Sequence, residues 1–142
     1  MSAEIVARGA VLAALRDHGG LMALLNGVHD GVPVQASAPY AVVGESIGSE
    51  WGTKDADGWE IRVGISLFDR AEGSGRLGEM MAMADAAVRG IGAMAGWDAV
   101  AGWEVGSIVF LRSRTVRRSA AERDGGGWSA TLDYRLRMLR AL

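Results

Sequence analysis

Residues 59–67 read Trp59-Glu60-Ile61-Arg62-Val63-Gly64-Ile65-Ser66-Leu67, and this stretch decides the fold. Trp59, Ile61, Val63, Ile65 and Leu67 alternate with Glu60, Arg62, Gly64 and Ser66. A period of two sends successive side chains to opposite faces of a strand, so this strand has one dry face and one wet face. Such strands belong to an antiparallel sheet covered by helices on one side, not to a parallel sheet buried on both.

Upstream, a strand is expected from Tyr40 through Ala41-Val42-Val43-Gly44 towards Trp51. The segment Thr53-Lys54-Asp55-Ala56-Asp57-Gly58 joins it to the decisive strand, and its Asp-Gly step favours a hairpin turn. Downstream, the chain alternates again at Trp128, Ala130, Leu132, Tyr134, Leu136 and Met138. A strand from Trp103 to Val116 precedes it, with Ile108 and Phe110 on one face and Val109 and Leu111 on the other. Residues 120–127 form a polar connection between these two strands.

Helical spacing appears twice. Residues 3–17 are strong helix formers with Ile5, Leu12 and Leu15 among the apolar positions, and Gly19-Gly20 is expected to stop that helix. Leu21, Leu24, Leu25 and Val28 suggest a short helical turn closed by Asn26-Gly27. Val32-Pro33 and Ala38-Pro39 keep the next stretch extended, because proline moves its predecessor out of the helical region. Leu77, Met80, Met81, Ala84, Val88 and Ile91 draw one apolar stripe on a helix expected over 75–94. The order helix, hairpin, helix, hairpin reads as α+β: a mostly antiparallel sheet of about four strands packed against helices. With 142 residues, no linker and no repeat, residues 1–142 are expected to form one domain.

Composition narrows the function. The formal net charge of -2 does not suit a protein that grips nucleic acid through a surplus of Lys and Arg. With no cysteine, disulfides, thiolate chemistry and sulfur-ligated zinc are excluded. Met1-Ser2-Ala3-Glu4 lacks a basic leader, and no stretch reaches the ~20 apolar residues that cross a bilayer, so neither classical export nor membrane insertion is expected.

Candidate chemistry is thin. Gly73-Ser74-Gly75-Arg76-Leu77-Gly78 matches the glycine pattern of dinucleotide sites and lies between a strand and a helix. The strand before it alternates, however, and Asp69-Arg70-Ala71-Glu72 intervenes. The alternative function this motif offers is a small nucleotide-binding or enzymatic domain; the simpler reading is a flexible helix entry. Asp55-Ala56-Asp57-Gly58 lacks the remaining ligands of a calcium loop and is explained by a turn. His18 and His29 have no partner at metal-ligand spacing, and no nucleophile elbow is present. No catalytic residue, metal or cofactor is therefore expected. Arg112, Arg114, Arg117, Arg118, Arg123, Arg135, Arg137 and Arg140 concentrate positive charge in the last third, as a solvated face or a charged contact with a neighbour.

Several segments in order carry a family resemblance. They are Leu12-Ala13-Ala14-Leu15; Val28-His29-Asp30-Gly31-Val32-Pro33 with Ala38-Pro39-Tyr40-Ala41-Val42-Val43-Gly44; Trp51-Gly52-Thr53-Lys54; and Asp124-Gly125 with Trp128 and Leu132-Asp133-Tyr134-Arg135. Together they resemble the tail terminator (tail completion) proteins of long-tailed phages and gene transfer agents, although a tyrosine often stands where His29 is here. The resemblance implies a non-enzymatic particle protein, assembled in the bacterial host cytoplasm. It implies a hexameric ring at the head-proximal end of the tail tube, with the tube protein and a head-side connector as partners and DNA only as passing cargo. On that basis the interface is expected at two hairpin loops: Trp51, Lys54, Asp55, Asp57 and Trp59 in one; Arg117, Arg118, Arg123, Asp124 and Trp128 in the other.

Overall fold

A computed structural model of the chain describes residues 2–55, 57–91, 102–120 and 126–140. Helices α1 (Ala3–Asp17), α2 (Gly19–Leu24) and α3 (Gly75–Arg89) accompany strands β1 (Val28–Asp30), β2 (Tyr40–Glu50), β3 (Gly58–Asp69), β4 (Trp103–Arg118) and β5 (Gly127–Arg140). The strands form one mixed sheet in the order β1-β2-β3-β5-β4. All neighbours are antiparallel except the β1·β2 pair, which is parallel.

The alternation of β3 and β5 survives in the burial. Ile61, Val63, Ile65, Leu67, Ala130, Leu132, Leu136 and Met138 lie on the helix-covered face. Their cross-strand partners interlock in an unbroken register from Gly58↔Leu139 to Asp69↔Trp128. Helix α1 closes this face with Val6, Ala7, Ala10, Val11, Ala14 and Leu15, spaced three and four apart, and α3 adds Leu77, Met80, Ala84 and Val88. Ser2 caps α1 by accepting from the Ile5 N–H.

Three expectations change. The sheet has five strands, because Val28–Asp30 pairs with Ala41–Val43 as a parallel strand instead of ending a helical turn. Gly19-Gly20 opens α2 as well as ending α1: His18 Nδ1 accepts from the Leu21 N–H and so acts as the cap between the two helices. Strand β4 runs on to Arg118 and has irregularities between Val105 and Ser107 and between Phe110 and Arg112. Helix α3 is described to Arg89, and the part of the expected helix beyond residue 91 lies outside the described residues.

Candidate assembly interface

The two loops singled out by sequence lie at opposite ends of the sheet. Gly58 at the start of β3 pairs with Leu139, whereas Asp69 at its end pairs with Trp128. Twelve residues of β3 separate them, roughly 36 Å at a rise of ~3.3 Å per residue.

At the first end, the loop between β2 and β3 folds back on the sheet. The Trp51 N–H donates to Gly58 O, and the Arg140 N–H donates to Asp57 O. Gly58 has to be glycine, since a Cβ there would lie 2.2 Å from Trp51 O. The Arg137 guanidinium sits 4.6 Å from the Trp51 ring, and that of Arg140 sits 4.5 Å from Trp103. Trp103 is buried, Trp51 is half-buried, and Trp59 is exposed beside Gly48. Lys54, Asp55 and Asp57 are exposed at the tip. The structure thus gathers Trp51, Asp57 and Trp59 around a shallow depression that Trp103 and Arg140 complete.

At the second end, Trp128 Nε1 donates to Glu72 O, and Arg117 lies 5.9 Å from the Trp128 ring. Arg118 covers the Phe68 ring at 4.9 Å; Phe68 stacks on Tyr40, and Tyr40 meets His29 edge-on. Gly127 holds φ at +87°, and a Cβ there would sit 2.0 Å from Asp69 O, so the chain must cross that backbone without a side chain. Arg123 and Asp124 lie outside the described residues.

Sequence reasoning missed the most exposed apolar feature at this end. Val32 and Val34 flank Pro33 and are 85% and 84% exposed, on a segment that borders a cavity of about 940 Å³ with His29, Tyr40, Arg70 and Arg118. The signal was present as two valines in a proline-containing stretch with no alternation partner. Exposed together on one segment, they are a candidate contact point at this end.

The sheet face away from the helices is polar. Direct partners across β3, β5 and β4 place Arg62, Arg112, Arg114, Arg135 and Arg137 on it with Glu60 and Asp133. Arg112 Nε donates to Asp133 at 2.8 Å. Glu60 lies 3.4 Å from Arg135 and 3.5 Å from Arg137, charge contacts without hydrogen-bond alignment. The pairing of the last two strands does bring these arginines side by side, and Glu60 on the neighbouring β3 is a counter-charge that local sequence did not suggest.

The glycine motif has a structural role. Asp69 is completely buried and accepts from Arg76 Nε and Nη2 and from the Arg70 N–H. The hydrogen bond to Asp69 is the largest cause and, with a smaller coulombic pull from the same carboxylate, outweighs desolvation and raises the Arg76 pKa. The buried carboxylate thereby fastens the end of β3 to the first turn of α3. Cβ atoms at Gly73, Gly75 and Gly78 would touch nothing within 4 Å, so no close approach of the protein's own atoms requires glycine at these positions. Among the described residues no cluster of three or more His, Asp or Glu could hold a metal, and no helix is long and apolar enough to cross a membrane.

A family model described as tail completion protein gp17 matches residues 9–139. A solved chain from the "virion of native gene transfer agent (GTA) particle" superposes with a TM-score of 0.68 at 27% identity, covering 98% of this chain and 99% of that one. No curated protein matches by sequence.

Proposed function

The chain belongs to the tail completion protein gp17 family of structural tail proteins, and from that premise we propose that it forms a ring closing the head-proximal end of a tail tube. Its place is the phage or gene-transfer-agent particle, and its role there is structural, not enzymatic. In our reading six copies make the ring, stop tube growth, and offer the head-side connector a surface.

One observation carries this reading: the two loop clusters lie at opposite ends of a single long sheet, whose β4 edge and whose β2 edge over residues 46–50 carry no further strand among the described residues. A ring that joins two different structures needs a top and a bottom of different chemistry. Here one end carries Trp51, Trp59 and the exposed charges of Lys54, Asp55 and Asp57, and the other carries Val32, Val34 and the arginine-covered aromatics. A closed ring also needs unlike flanks, one patch of each subunit meeting a different patch of the next.

The reading is tested by measuring particle mass in solution, alone and with tail tube protein added. A discrete multiple of the 14.9 kDa chain, six copies in this proposal, is the expected result. A strict monomer that also ignores tubes is the contrary one.

A further inference from the structure

The two flanks of the sheet match each other row by row. On one flank, β1 covers β2 only at residues 41–43, and among the described residues no strand lies beside 46–50. On the other flank β4 is the edge, and its stretch 107–110 lies between the two irregularities. Successive registers put these segments at one height: Ile47 pairs with Arg62, Arg62 with Arg135, and Arg135 with Val109. Ile47 and Val109 therefore stand on the same face in the same row, at opposite borders of the sheet. They are 61% and 37% exposed.

The neighbouring row is complementary in charge. Arg112 pairs with Asp133, and Asp133 with Gly64, which lies beside the β2 irregularity that contains Gly44 and Glu45. Glu45 is exposed, and the Arg112 side chain is 82% exposed although one of its nitrogens holds Asp133. A guanidinium has five donors, so a second carboxylate can be taken. Strand direction fits as well. Reading across three antiparallel pairings, β2 and β4 run in opposite senses. Copies repeated around an axis along the strands, without vertical offset, then set β4 antiparallel to the next copy's β2.

We propose that identical subunits join by continuing the sheet, residues 107–112 of one copy pairing with residues 45–49 of the next, with Val109 against Ile47 and, past the irregularity between Phe110 and Arg112, Arg112 against Glu45. This rests on the ring reading above and specifies its contact. The open backbone groups of both edges find partners, exposed apolar side chains meet, and opposite charges fix the register.

The absence of native cysteine makes the test direct. Directly opposed residues on paired strands lie ~4.5–5.5 Å apart at Cα, within the span a disulfide bridges. The chain carrying both Ile47→Cys and Val109→Cys, assembled with tail tubes and oxidised, is expected to give a covalent ladder ending at the closed ring. Either cysteine alone should give no ladder. Both positions are exposed, so folding is preserved, and Glu45→Lys provides a second arm: it should raise the concentration for half-assembly by about tenfold or more, as like charges meet Arg112. A ring of the correct mass without double-cysteine ladders, or dimers from Val109→Cys alone, overturns this contact while leaving the ring intact. A chain that stays monomeric with tubes present overturns both.

Discussion

The carboxylate of Asp69, at the end of β3, is fully buried and bonded to the guanidinium of Arg76 in the first turn of α3. That bond ties the sheet to the helix across the glycine-rich connection. Arg76→Ala leaves a buried charge without its partner. Breaking a buried pair costs ~3–5 kcal/mol; with the Arg76 side chain 43% exposed, solvent lowers the expected loss to about 2–3 kcal/mol. Urea denaturation measures it, and an unchanged midpoint would contradict the role given to the pair.

Two glycine substitutions should have opposite signs. Gly78 is exposed inside α3 with open space at its Cβ position, so Gly78→Ala should stabilise by about 1 kcal/mol through helix propensity. Gly127→Ala would force a Cβ against the Asp69 backbone at positive φ and should destabilise by more than about 3 kcal/mol. Thermal melts of the two variants, side by side, check both.

Tyr134 is fully buried and donates its hydroxyl proton to Asp85 Oδ1 at 2.7 Å. Burial first, then this bond, push its pKa above the ordinary value. A raised folded-state pKa means the folded chain keeps a proton that the unfolded chain loses near pH ~10. The stabilisation is complete below that pH and fades as pH rises through the folded value. The melting temperature should therefore fall more steeply above about pH 10 in the parent than in Tyr134→Phe, which loses about 1 kcal/mol at neutral pH.

Val32 and Val34 should matter for assembly and not for folding. The double variant Val32→Ser with Val34→Ser is expected to melt within ~0.5 kcal/mol of the parent, because both side chains already stand in water. Pull-down by tube or connector protein should drop sharply if this end is a docking surface. Undiminished capture would move the contact elsewhere.

Much of the fold was readable because its decisive strands are half-wet. The alternation in β3 and β5 exists only when one face packs on helices, and it marked the buried residues correctly from Ile61 to Leu67 and from Ala130 to Met138. Strand β1 escaped because three residues, Val28–Asp30, cannot establish a period; the parallel pairing with β2 is a long-range choice. Asp69 escaped for a related reason. An acid at the end of an alternating strand looks like a turn residue until Arg76 is seen to return to it. The two candidate loops were recognisable as loops, but their separation depends on β5 inserting between β3 and β4, which no local pattern records.

The most direct measurement of the central claim is electron microscopy of tail tubes grown from their purified subunit with and without this protein. With it, tubes should be shorter, each bearing one ring at a single end. Tubes of unchanged length with no density at either end would contradict the account.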